Sequence, residues 1–157
     1  MAWNIRDHGF ALRLSPRVPD HLGVAAPAAL RMVFGSRRPR FWAIHPGGRA
    51  IVDKLVEIFQ LPPAAVHSTR EVLRQYGNMS SATILFVLDH LRRQLRAEAA
   101  GGRTGGQGEP FSGVAMAFGP GLVVEMSRLT YVPPLPAMAG AEQKAYAQAR
   151  EPFRAPR

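Results

Sequence analysis

Residues 40–61, RFWAIHPGGRAIVDKLVEIFQL, constrain the fold more than any other stretch. A short, mostly apolar run ends in His45, and the chain then passes at once through Pro46, Gly47 and Gly48. Such a run, closed by turn residues, reads as a buried strand. The residues that follow are apolar at 51, 52, 55, 56, 58, 59 and 61, a broad face of one helix. A buried strand, a sharp turn and an amphipathic helix form the unit from which α/β layers are built.

The rest of the chain extends that pattern. GFALRLS (9–15) alternates in polarity and predicts a strand that Pro16 and Pro19 end. Asp20 is expected to cap a helix running to about Phe34, weakened by Gly23 and Pro27. GSRRPR (35–40) is a basic loop. After the break at LPPAAVH, Ser68 or Thr69 is expected to cap a short helix that Gly77 closes. A long helix is expected from Ser80 or Ser81 to about Ala100, with an almost wholly apolar first half that should be buried. FSGVAMAF and LVVEMSRLTYV, joined by GPG (119–121), predict a hairpin. The expected fold is therefore α/β, a mixed β-sheet with helices packed on it. The glycine-rich segment 101–110 reads as a flexible loop; no lysine follows it as in a phosphate loop. The folded domain is expected over 1–132. The tail 133–157 should be poorly ordered, with at most a loose helix over 141–150.

Composition narrows the chemistry. The 157 residues suit one domain, and 46% hydrophobic content is enough for a core. The longest apolar run, ATILFVL, falls well short of the ~18 residues of a membrane span. The first residues lack a basic region followed by an apolar one, so neither a leader nor a membrane anchor is expected, and the location is expected to be cytoplasmic. There is no cysteine, which excludes disulfides, thiolate metal sites and a cysteine nucleophile within these residues. His8, His21, His67 and His90 lack metal-ligand spacing, so no metal is expected, and no G-x-S-x-G elbow supports a serine hydrolase. The charge of +9 is almost all arginine, Lys54 and Lys144 being the only lysines. These arginines are scattered rather than gathered on one periodic face, so nucleic acid is not the expected partner.

Three turns join apolar elements through polar or glycine residues: IHPGG (44–48), YGNMSS (76–81) and FGPG (118–121). Sites in open α/β folds gather where strands end and helices begin. An imidazole and a carboxamide side by side would give a donor pair for a thioester oxygen or an enolate, reinforced by the dipole of a helix starting at Ser80. By residue type alone, a histidine such as His45 is more often structural than catalytic, and an asparagine such as Asn78 more often a helix cap.

RFWAIHPGGRAIVDKL, STREVLRQYGNMSSATILFVLD, AFGPGLVVE and the opening WNIRDHGFALRLSPRVP together resemble the C-terminal half of the type III polyketide synthases, the chalcone and stilbene synthase family. The resemblance runs in order over roughly residues 3–132. It implies a thiolase-like fold made of two similar halves, of which this would be the second. It also implies acyltransferase chemistry, the condensation of malonyl-CoA units onto an acyl-CoA starter, with coenzyme A thioesters as substrates and no separate cofactor. Residue by residue, it makes His45 and Asn78 catalytic, and Ser80, Phe118, Gly119 and Pro120 substrate-lining. Gly47, Gly48, Arg49 and Ala50 fall near the mouth of the coenzyme A tunnel.

Two departures bear on specificity: Ala117 stands for the first glycine of the family's GFGPG turn, and Leu12 stands where plant members often carry a gating phenylalanine. The family's nucleophilic cysteine lies in the N-terminal half, so this chain is expected to be inactive alone. Its expected partners are that half or a cysteine-containing synthase subunit, in a homo- or hetero-oligomer. The alternatives are a non-catalytic module regulating a full-length synthase and a residual malonyl-thioester decarboxylase.

Overall fold

The structure, a computed structural model, describes residues 2–6, 9–13, 18–100, 110–119 and 123–133. Strands β1 (Ala2–Arg6) and β2 (Gly9–Arg13) form an antiparallel hairpin. Helix α1 (Val18–Phe34) leads to β3 (Trp42–Ile44), then α2 (Arg49–Phe59). A 3-10 turn over Pro63–Val66 enters α3 (His67–Tyr76), and a second over Ser80–Ala82 enters α4 (Thr83–Ala100). Strands β4 (Phe111–Gly119) and β5 (Val123–Tyr131) complete the chain's regular structure among the described residues. The main sheet runs β3-β4-β5, parallel between β3 and β4 and antiparallel between β4 and β5. The mixed sheet and the predicted hairpin are both present.

Period-2 alternation explains why this small sheet needs helices on both faces. Trp42 and Ile44 point to one side with Val114 and Met116, where they meet Leu22 and Ala26 of α1 and Ile51, Val52 and Leu55 of α2. Phe41 and Ala43 point to the other side, where they meet Val72 of α3 and Val87, Leu91 and Leu95 of α4. Both faces of β3 are thus in a core, and its residues are buried throughout. A strand buried on both faces reads as a continuous apolar run rather than an alternating one.

One contact in that second core is unusually close. A Cβ built on Gly113 of β4 would lie 2.3–2.5 Å from three atoms of the Phe41 ring. The ring fills the space where any other residue would carry its side chain, and it meets Phe111 edge-on at 6.0 Å between centroids.

Several local expectations change. The N-terminal hairpin has a strand, β1, that was not among the expected elements. Helix α1 begins at Val18, so Asp20 lies within it rather than capping it. Ser68 and Thr69 lie within the first turn of α3, and no side chain caps that helix. Both are buried cross-links instead: Ser68 Oγ donates to Gln94 Oε1 of α4 at 3.0 Å, and Thr69 Oγ1 donates to the Ile44 carbonyl at 3.0 Å. Helix α4 starts at Thr83 after a 3-10 turn, not at Ser80 or Ser81. Its first half is not uniformly buried, since Leu85 and Phe86 are 65% and 43% exposed. A helix apolar all round needs packing all round, and the described residues cover only the side carrying Val87 and Leu91. The glycine-rich segment 101–109 and the tail 134–157 lie outside the described residues.

The Thr69 bond yields a stability prediction. Thr69→Val keeps the shape but leaves the Ile44 carbonyl without that donor, and should cost about 1–3 kcal/mol in chemical denaturation. Thr69→Ser, which retains the hydroxyl, should cost less.

Candidate active site

The end of β3 is held in register for one residue beyond the strand. His45 N–H donates to the Met116 carbonyl at 2.8 Å, and Gly47 N–H turns back to the His45 carbonyl at 3.0 Å. The imidazole is therefore carried on a backbone pinned from both sides. Residues Phe41–Pro46 form one continuous buried stretch that ends at this turn. A Cβ on Gly47 would lie 4.0 Å from His45 Cδ2 and 4.0 Å from Ile51 Cγ1, so the turn runs along the edge of the imidazole. The next element starts immediately: Gly48 precedes α2, and its carbonyl accepts from Ile51 N–H and Val52 N–H at 3.2 and 3.3 Å.

Burial pushes the His45 pKa below its ordinary 6.5, because desolvation penalises the imidazolium. The ring is thus neutral at pH 7, with one nitrogen free to donate and the other to accept. The lowered pKa also predicts a pH dependence of stability. Between the folded pKa and 6.5 the unfolded chain binds more protons than the folded one, so stability rises with pH there. His45's contribution is fully present above 6.5 and is lost as pH falls through the folded value. Denaturation midpoints from pH 7.5 to 5 should fall, and His45→Gln should flatten that fall. An NMR titration that puts the His45 midpoint at or above 6.5 would contradict this.

Asn78 reaches the same turn from 31 residues away. Its Nδ2 donates to the Gly47 carbonyl at 3.2 Å, and its Oδ1 accepts from Ser80 N–H at 2.9 Å. The backbone N–H at one end and the carbonyl at the other fix which way the carboxamide faces. Nδ2 carries two hydrogens, so a second donor is left after the Gly47 bond. Gly77 and Ser80, on either side of Asn78, have φ of 70° and 61°. Gly77 takes the left-handed φ without strain; for Ser80 the conformation is costly and must be held by its surroundings.

Thr83 is a member of this turn that sequence reasoning passed over. It is fully buried, accepts from Met79 N–H at 2.8 Å and donates to the Ser80 carbonyl at 2.8 Å. The only sequence signal was a hydroxyl in the otherwise apolar run ATILFVL.

The structure brings His45, Gly47 and Gly48 together with Asn78 and Ser80. Arg49 and Ala50 form the exposed first positions of α2, directly after the turn. Phe118 and Gly119 end β4, two and three residues past the Met116 that holds His45, paired with Val124 and Val123. Phe118 is half-buried and packs against the α1/α2 core. Ala117 pairs with Glu125 in the same strand, while Pro120 lies outside the described residues. For Leu12 only the backbone of β2 is described. The helix dipole expected at Ser80 belongs instead to a 3-10 turn three residues long. Among the described residues no group of three or more His, Cys, Asp or Glu is placed to hold a metal ion. No helix among them is long and apolar enough to cross a membrane.

A family model for the C-terminal domain of chalcone and stilbene synthases matches residues 1–133. Among solved structures, the chain is similar to the C-terminal type III polyketide synthase domain of Steely1, a type I/III hybrid from Dictyostelium. The TM-score is 0.67 at 27% identity, over 84% of this chain and 36% of that one. It is also similar to PKS-I of the brown alga Ectocarpus siliculosus, with a TM-score of 0.68 at 28% identity, over 83% of this chain and 35% of that one. The chain thus spans about a third of the length of either structure.

Proposed function

Because the chain belongs to the chalcone and stilbene synthase family, as its C-terminal domain, we propose that it supplies the histidine and asparagine of a polyketide-forming site. The acyl-carrying cysteine comes from polypeptide outside these 157 residues, which contain none. What supports this reading is the bond from Asn78 Nδ2 to the Gly47 carbonyl, which ties the turn after His45 to the turn before α4. A structural histidine and an unrelated helix cap would have no reason to share one.

In this reading the C–C bond to the malonyl carboxylate breaks, carbon dioxide leaves, and the electron pair moves onto the thioester oxygen as an enolate. A neutral His45 N–H and the second Asn78 N–H would be donors for that oxygen; Asn78 and Ser80 are exposed in this chain, so the cover that excludes water, where such donors count most, would come from the missing polypeptide. The enolate carbon then attacks the acyl thioester, and the cysteine thiolate departs. Gly47, Gly48, Arg49 and Ala50 would line the approach of the coenzyme A chain. Ser80, Phe118, Gly119 and Pro120 would line the cavity. Tyr76, Leu85 and Phe86 flank the Asn78 turn and are left exposed, with the Tyr76 and Phe86 rings 5.2 Å apart. Exposed aromatic and aliphatic groups beside a site suit a chain whose site further polypeptide completes.

The test is product formation from an acyl-CoA starter and radiolabelled malonyl-CoA. The 157-residue chain alone should give no polyketide, and adding a cysteine-bearing N-terminal half should give product. Product from the chain alone would refute the proposal. Assembly with a cysteine-bearing synthase whose activity ignores His45→Ala would favour the non-catalytic, regulatory reading instead.

A further inference from the structure

We propose that Thr83 is the positioning residue for Asn78, setting the carboxamide through a hydroxyl that grips both sides of Ser80. The inference rests on the reading of Asn78 as an oxygen-directed donor. Ser80 holds a left-handed φ of 61° without being glycine. In that conformation its N–H points at Asn78 Oδ1, 2.9 Å away. Left alone, a serine would relax out of this region, because its Cβ crowds the neighbouring carbonyl.

Thr83 Oγ1 prevents the relaxation with two bonds of 2.8 Å. It accepts from Met79 N–H on one side of Ser80 and donates to the Ser80 carbonyl on the other. The peptide linking Met79 to Ser80, which carries the N–H aimed at Asn78, is clamped between those anchors. The hydroxyl also lies 3.4 Å from Asn78 Oδ1; its one proton serves the shorter bond to Ser80, so this contact is secondary. The order of control is Thr83, then the Ser80 backbone, then Asn78 Oδ1, and so the direction of Nδ2. Thr83 touches no substrate, being fully buried at the base of the turn.

Two measurements separate positioning from bulk stability. In the 157-residue chain, the side-chain amide protons of Asn78 are observed by 15N-edited NMR in wild type, Thr83→Ser and Thr83→Val. Wild type and the serine variant should show two well-separated Asn78 Nδ2 protons, the one bonded to the Gly47 carbonyl exchanging more slowly than the other. In the valine variant the two should move together and the slower one should exchange at least ~10-fold faster, with the dispersed backbone spectrum retained. In the chain reconstituted with a cysteine-bearing half, Thr83→Val should lower kcat about 10–100-fold, as misplacing a reacting group does. KM should stay within about twofold, and Thr83→Ser should restore most of kcat.

Unchanged Asn78 side-chain signals in Thr83→Val overturn the proposal, as does equal loss of kcat in the serine and valine variants. If the valine variant does not fold, Thr83→Ala takes its place under the same criteria. The NMR arm needs no chemistry. A reconstituted wild type without activity would therefore refute the proposed function while leaving the positioning claim to stand or fall on the Asn78 signals.

Discussion

Asn78→Asp in the chain assembled with a cysteine-bearing half is expected to lower turnover about 10²–10³-fold, as loss of one oxyanion donor does. It should do more damage than Asn78→Ala. The two side chains are the same size, so the geometry of the turn is available to either. Asp retains the oxygen that accepts from Ser80 N–H. What it changes is the other end: an Nδ2 that donates to the Gly47 carbonyl becomes an oxygen facing that carbonyl. Two acceptors then oppose each other, and a negative charge stands where negative charge must develop on the substrate. Alanine merely deletes the donor. His45→Ala should cause a loss of the same order, and the double variant should lose much less than the product of the two, since both donors serve one oxygen. Carbon dioxide release from malonyl-CoA should fall in parallel with product, because in the proposed function the donors act on the enolate before any C–C bond forms. If carbon dioxide release survives in Asn78→Asp while product is lost, the donor role is wrong and Asn78 acts in condensation alone.

How much of this could be seen in the sequence depended on whether the cause was local. Strand β3, helix α2 and the β4–β5 hairpin were legible because their apolar spacing follows from burial on a sheet face or a helix face. Strand β1 was passed over although Trp3, Asn4, Ile5 and Arg6 alternate in polarity, because five residues are a short signal and the strand is fixed by pairing with β2. Ser68 and Thr69 follow a break and precede a helix, which is where caps belong; their hydroxyls instead cross to α4 and β3, partners that no local pattern names. The apolar first half of α4 argued for complete burial, yet Leu85 and Phe86 are exposed among the described residues. Sequence records that a residue wants cover without saying which polypeptide supplies it.

The site divides along the same line. By residue type His45 and Asn78 pointed to structural roles, and it was the order of HPGG, GNMSS and FGPG that singled them out. The bond that joins their turns spans 31 residues and ends on a backbone carbonyl, so no side-chain motif could announce it. Thr83 was hidden for the opposite reason, as a single polar atom inside an apolar run whose dominant signal was packing.

The largest stability effect is expected at a position with no polar chemistry at all. Gly113→Ala should destabilise the chain by about 1–3 kcal/mol, and Gly113→Val by more, because each overpacks a filled core. Glycine in a strand interior is ordinarily a weakness that alanine would correct. Here the sign is reversed, since the Phe41 ring lies 2.3–2.5 Å from where the new Cβ must go. An aromatic ring clamped by Phe111 on one side and the α3/α4 core on the other cannot swing clear as a lysine tip could. The strain must then pass into the backbone. Phe41 accepts from Val114 N–H at 3.0 Å and begins the run that ends at His45, so a shift of Phe41 moves the base of the His45 turn. The clash should therefore appear twice, as a lower denaturation midpoint and as a lower kcat in the assembled enzyme. Phe41→Leu gives up packing and costs stability in the wild-type background, yet it should recover part of both losses in Gly113→Ala, because a smaller side chain makes room. A double-mutant cycle with no favourable coupling between 41 and 113 would mean that the sheet absorbs the methyl group by moving β4 as a whole. The strand register that carries His45 would then be softer than its burial implies.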